Sequence, residues 1–208
     1  MRKFFLLIFA LTVFNFSFSQ SSNLKVDDTY VKNIKKIANN NKVKKAFKYI
    51  LDVEDKTNKN LIELTEIEAP PFKEEKRAME FSERLKLAGI EKVWIDSIGN
   101  VIGFLEGSIG NKNIAIDAHL DTVFPEGTDV QVRIKNDTLF APGIGDDTRG
   151  LAIILTIAET IINSDIKPVD NILFIGTVGE EGLGDLRGVR YLLSLIHISE
   201  PTRPLYIS

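Results

Sequence analysis

Two neighbouring apolar segments, Leu151 to Ile162 and Ile172 to Thr177, constrain this chain more than anything else in it. The first has helix length and opens at Gly150; the second is a continuous apolar run of strand length, the kind that is covered on both faces of a sheet. A strand buried on both sides needs helices laid over it. Short β-rich runs precede the pair, Lys92 to Ile95, Val101 to Leu105, Asn113 to Ala118, Val130 to Lys135 and Thr138 to Phe140, separated by turns such as Gly99-Asn100. Strands alternating with crossover-length helices predict an α/β fold, a three-layer sandwich with a mixed, largely parallel central sheet.

Upstream, Tyr30 to Ile67 is rich in Lys and Asn and carries apolar residues at helical spacing, including Ala46, Phe47, Ile50, Leu61, Leu64 and Ile67, which predicts two surface helices. Pro70-Pro71 breaks the pattern. A further amphipathic helix is expected over Glu74 to Ala88, closed by Gly89, and a last one over Leu186 to Leu192.

The two ends read differently from the middle. Residues 1–19 carry Arg2 and Lys3, an apolar stretch from Phe4 to Phe14, and Ser17-Phe18-Ser19, with small residues placed for cleavage after Ser19. That is the pattern of a secretory signal peptide, and its apolar stretch falls short of the roughly 20 residues that span a bilayer. The expectation is a secreted or periplasmic protein without a stable membrane anchor, with residues 20–29 as a polar spacer. At the other end, residues 193–208 (LSLIHISEPTRPLYIS) continue no periodic pattern and resemble the translation of a transposon-end sequencing adapter. The native frame is therefore expected to depart near Leu192. The formal net charge of −3 becomes −5 without Arg2 and Lys3, which gives no electrostatic footprint for nucleic acid. With no cysteine in the chain, disulfides, thiolate ligands and a cysteine nucleophile are excluded.

Three constellations could carry chemistry. Asp117-Ala118-His119-Leu120-Asp121 closes the run Asn113 to Ala118; residues two apart on an extended chain share a side, so Asp121 can orient the His119 ring. Gly143-Ile144-Gly145-Asp146-Asp147-Thr148-Arg149-Gly150 sets paired carboxylates before the apolar helix, where one Asp would suffice as an N-cap and a phosphate would be repelled. Gly179-Glu180-Glu181-Gly182 follows the buried strand; two adjacent carboxylates there need compensation, which a cation supplies. All three fall at the carboxyl ends of predicted strands or in the loops after them, where open α/β sheets place their sites.

The order HLDTV, then GIGDD before an apolar helix, then GEEG after an apolar strand resembles the co-catalytic dizinc peptidase and amidohydrolase family of peptidase T, glutamate carboxypeptidase and acetylornithine deacetylase. The likeness spans residues 30 to 192 and implies that family's phosphorylase/hydrolase-like zinc exopeptidase fold, incomplete here. It implies His119 as a zinc ligand oriented by Asp121, Glu180 as the general base, and Glu181 as a second ligand. The bridging aspartate is Asp146 by the DDxxG spacing shared with peptidase T, or Asp147 by the spacing of other relatives. The cofactor implied is two zinc ions, with cobalt or manganese as substitutes. The activity implied is hydrolysis of a peptide bond in short peptides, with an N-acyl amino acid amidohydrolase as the alternative and an inactive binding module as a third reading. The family's later carboxylate ligand, its C-terminal histidine and its dimerisation domain have no counterpart in this sequence, so a homodimer is expected only of a longer protein. His197 lacks the context of that histidine.

Overall fold

The computed structural model describes residues 26–199; the signal-peptide expectation and residues 200–208 lie outside them. The chain divides into two units, one reaching Lys36 and one beginning at Ile37. In the first lies most of helix α1 (Asp28–Ala38), which opens on Asp28, carries Lys35 and Lys36 in its last turn, and buries none of its residues. It starts inside the stretch expected to be spacer.

The second unit holds the rest. Helices α2 (Asn41–Asp52) and α3 (Glu54–Thr65) are followed by α4 (Glu75–Leu87), so Tyr30 to Ile67 forms three helices rather than the expected two. The breaks at Asn40 and Val53 are local: Asn40 caps α2 by accepting from the Lys42 amide, and the Val53 amide closes it by donating to the Tyr49 and Leu51 carbonyls. Strands β1 (Lys92–Ile95), β2 (Val101–Leu105) and β3 (Asn113–His119) follow, then the short hairpin β4 (Arg133–Lys135) and β5 (Thr138–Phe140). Helix α5 (Arg149–Asn163), strand β6 (Asn171–Thr177) and helix α6 (Arg187–Ser199) complete the order. Helix α6 runs past its expected end at Leu192, since no Gly or Pro stands between Val189 and Glu200. No described helix is long and apolar enough to cross a membrane.

The main sheet has the order β1-β2-β6-β3. It is mixed, as expected, but only β3 and β6 pair in parallel, while β1–β2 and β2–β6 are antiparallel, so the parallel share is smaller than expected. For β1–β2 the reason lies in residues 96–100, which turn β1 straight back into β2. Asp96 accepts from the amides of Ile98, Gly99 and Asn100 at 2.9–3.0 Å and from the Asn100 side chain at 2.8 Å. Such a short connection permits only an antiparallel pair. The buried Asn100 continues outward, accepting from the Val178 amide at 3.0 Å and donating to the Gly188 carbonyl at 3.2 Å. Asp96→Ala is therefore expected to cost about 1–3 kcal/mol, because it takes the acceptor from the amides of Ile98 and Asn100 and from the Asn100 side chain, while the Gly99 amide keeps the Asp96 main-chain carbonyl; the shift of the urea midpoint measures it.

Register sorts the two faces. Val93, Gly103, Phe174 and Ile116 stand side by side on one of them. Against it pack Phe81 and Leu85 of α4 and Leu151, Ile154, Leu155 and Ala158 of α5, forming one core with Phe174 at its centre. The opposite face carries Trp94, Ile102, Ile175 and Asp117, of which Trp94 is 46% exposed. The second helical layer of the expected sandwich is not completed by the described residues: after β6 only α6 follows, tied to the sheet's end by the Gly188 amide donating to the Val178 carbonyl at 2.9 Å and by the hydrogen bond from Ser97 in the β1–β2 turn to Tyr191 at 2.9 Å.

Candidate metal centre

Parallel pairing of β3 with β6 sets His119 beside Thr177, so the segments that follow both strands leave from the same edge of the sheet. The Leu120 amide, donating to the Thr177 carbonyl at 2.6 Å, extends the ladder one step further. The Asp117–Asp121 and Gly179–Gly182 motifs thereby come together. Asp121 is fully buried, and its two carboxylate oxygens accept the backbone N–H groups of Glu180 and Glu181, each at 2.9 Å. Its main-chain oxygen lies 3.0 Å from His119 Nδ1, and its Oδ1 lies 3.6 Å from the same nitrogen. Burial alone would raise the Asp121 pKa, but the His119 contact and the two amides outweigh it and hold the carboxyl below its ordinary value. Asp121 thus does two things: it faces the histidine ring, as read from the sequence, and it grips the Glu180-Glu181 backbone, which no local pattern signals.

The third donor group comes from the turn before α5. Asp146 reaches His119 Nε2 with its Oδ1 at 2.9 Å, and its side chain is 79% exposed. Asp147 faces elsewhere. Its Oδ2 accepts the His119 amide at 3.2 Å and its Oδ1 the Gly150 amide at 3.1 Å, so it ties the end of β3 to the start of α5. A Cβ at position 150 would come within 2.3 Å of Asp147 Oδ1, so this closure requires glycine. Of the two aspartates left open by spacing, the one turned to the His119 ring is Asp146.

Ligand atoms of His119, Asp146 and Glu181 lie within 4.8 Å of one another, the one such group among the described residues. One imidazole nitrogen and two carboxylate oxygens suit zinc and other first-row divalent ions. The electrostatics fit a cation as well: burial, then the neighbouring Glu180 and Asp146 charges, push the Glu181 carboxyl above its ordinary value. Glu180 stands next to this group without belonging to it.

Burial opposes a charge on His119, yet its contacts with Asp121 and Asp146 prevail and raise its pKa to about 9 in the metal-free protein. A folded value above the unfolded value of about 6.5 means that protonation contributes stability fully below about pH 6.5 and loses it as pH rises through about 9. Urea midpoints of the chelator-treated protein should fall across that window, and His119→Gln should flatten the fall. A metal ion bound at His119 would take the place of this proton, so adding metal should release protons below about pH 9.

Sequence reasoning passed over Arg77. It is fully buried and donates through Nε to the Ile67 carbonyl at 3.1 Å and through Nη1 to the Leu120 carbonyl at 2.8 Å, between His119 and Asp121. In the sequence it is one cation among many on α4, and nothing nearby marks it.

The fold and the donor group define the class: an α/β protein with a three-donor site for a divalent ion at the carboxyl ends of adjacent parallel strands. Comparison with known proteins points the same way as the motif order. Residues 115–207 match the model of Peptidase family M20/M25/M40. The chain is 38% identical over 138 residues to a protein of Pyrococcus abyssi assigned as a LysW-lysine/LysW-ornithine hydrolase, covering 66% of this chain and 36% of that one. It is 30% identical over 84 residues to carboxypeptidase G2 of Pseudomonas sp., covering 39% of this chain and 20% of the other. Among solved structures, a tripeptidase from Staphylococcus aureus superposes with a TM-score of 0.54 at 25% identity, over 67% of this chain and 40% of that one. Human carnosine dipeptidase 1 shares the fold, with a TM-score of 0.61 at 16% identity over 73% of this chain and 37% of that one. The chain thus spans well under half the length of each.

Proposed function

We propose that the protein to which this chain belongs is a metal-dependent hydrolase that cleaves the peptide bond of short peptides, with zinc at His119, Asp146 and Glu181. The observation that carries this is the convergence of these three donors beside a fourth, uncommitted carboxylate, Glu180. When bound, a divalent ion supplies Lewis acidity, which polarises a carbonyl oxygen and makes water a stronger acid. The chain's own residues do the rest. His119 offers Nε2 on the side of Asp146, while Asp121 holds its Nδ1 side and so fixes the ring. Asp121 also pins the amides of Glu180 and Glu181, which sets one carboxylate as donor and leaves its neighbour free to take a proton from water. Glu180 then delivers that proton to the leaving amine.

The tripeptidase of Staphylococcus aureus, at 25% identity, supports short peptides as substrates. A second reading, cleavage of an N-acyl amino acid, is supported by the Pyrococcus abyssi relative assigned as a LysW-lysine/LysW-ornithine hydrolase. Export from the cytoplasm is part of the proposal, supported by the Phe4 to Phe14 stretch and Ser17-Phe18-Ser19. The test is a paired assay of the whole protein on a tripeptide and on N-acetyl amino acids, before and after EDTA and after adding zinc back. Tripeptide cleavage that EDTA abolishes and zinc restores is the expected result; cleavage of the N-acetyl compounds alone selects the second reading, and EDTA-resistant turnover defeats both.

A further inference from the structure

The carboxylates Glu180 and Glu181 are gripped from one side by Asp121. A second grip lies on the other side and uses residues outside the three motifs. The Arg187 amide, at the start of α6, donates to the Gly179 carbonyl at 3.1 Å. The Arg187 side chain then folds back across Gly179, whose φ is +61°: a Cβ there would lie 2.6 Å from Arg187 Nη1 and 2.8 Å from its Cγ. Gly179 therefore combines a left-handed backbone with contact that only a hydrogen at Cα allows. The guanidinium is itself braced. Its Nη2 donates to Glu74 Oε2 at 2.7 Å, its carbon stands 4.9 Å from the centre of the Phe72 ring, and Glu74 Oε1 accepts the Phe72 amide at 3.0 Å. Glu74 is buried at the head of α4, on an element separate from the Gly179 loop.

One detail argues against a pair kept for stability alone. Arg187 Nη1 is buried and has no hydrogen-bond partner among the described residues. An unsatisfied buried donor is a cost, and a Lys or an apolar residue would avoid it. What the arginine offers in exchange is a flat, rigid fork that can lie on a backbone while pairing with a carboxylate.

We propose that Arg187, braced by Glu74 and Phe72, is a positioning residue for the metal site: it holds Gly179 from behind so that the Glu181 carboxylate meets His119 and Asp146. The inference rests on the reading of His119, Asp146 and Glu181 as metal ligands. The test is titration of the metal-free protein with Co²⁺, following its visible absorption band and its Kd, with thermal melting alongside. Arg187→Met and Glu74→Gln are each expected to weaken Co²⁺ about tenfold or more and to change the shape of the band, as partners of metal ligands do. Arg187→Lys keeps a charge for Glu74 but not the flat fork; it should regain melting temperature without regaining affinity, and it carries the test if Arg187→Met fails to fold. Leu85→Ala, in the core under α4, serves as the control for lost stability: it should melt earlier and bind Co²⁺ like the parent. Parent-like affinity and spectrum in Arg187→Lys, or an equal loss of affinity in Leu85→Ala, overturns the positioning role. If the parent protein itself binds no Co²⁺, the ligand assignment fails first, and that failure is visible before any variant is made.

Discussion

Glu180→Gln is expected to lower peptide hydrolysis by the whole protein about 10²–10⁴-fold while leaving its metal content unchanged. The split between the two readouts follows from where the two glutamates stand. Glu181 contributes to the donor group with His119 and Asp146, whereas Glu180 does not. Both have their amides fixed by Asp121, so the amide replacement at position 180 keeps shape and backbone and removes only the ability to take up a proton. Glu181→Gln is the opposite case, since an amide oxygen is a much poorer ligand than a carboxylate and metal should be lost along with activity. Metal analysis beside initial rates on a tripeptide makes the measurement. Loss of metal from the Glu180 variant would make Glu180 a ligand, and an unchanged rate would remove it from the proton path.

Arg77→Met is expected to cost about 3–5 kcal/mol, a large part of the roughly 5–15 kcal/mol that holds a domain together. The guanidinium is completely enclosed and has no carboxylate in contact; what it meets are main-chain carbonyls of Ile67, Leu120 and Thr65. Burial drags its pKa down to about 10, against the pull of the nearby Asp121 charge, so it is still charged at neutral pH. Methionine fills some of the volume but strands these carbonyls, each unpaired buried acceptor costing about 1–3 kcal/mol. The segments that lose their tie are the one entering the Pro70-Pro71 break and the one joining His119 to Asp121. Urea denaturation with the parent's slope and a lower midpoint is the expected result, and a loss under about 1 kcal/mol would show that water takes over the carbonyls.

The α/β alternation was legible because periodicity is a local property. Leu151 to Ile162 and Ile172 to Thr177 became α5 and β6 almost residue for residue, and the run before His119 became β3. The three motifs could be placed at strand ends for the same reason. What stayed hidden depends on register between distant segments. That β1 and β2 pair antiparallel follows from the turn at Asp96 to Asn100, whereas the direction of β2 against β6 depends on the order of strands in the sheet and not on the composition of either strand. The number of helices before Pro70 hung on single caps at Asn40 and Val53, which the uniform Lys-rich pattern concealed.

The candidate site divides along the same line. His119, the aspartate pair and the glutamate pair could be named from the sequence, because a donor set needs particular residue types and each of the motifs that carry them is only a few residues long. Only the folded chain turned Asp146 rather than Asp147 toward the His119 ring, gave the Asp121 carboxylate to the amides of Glu180 and Glu181, and set Arg77 and the Glu74–Arg187 pair behind them. Those choices are made by hydrogen bonds between residues that lie about 30 to more than 100 positions apart. Such bonds reward a geometry only after the sheet has brought its parts together, so no residue in them carries the mark beforehand.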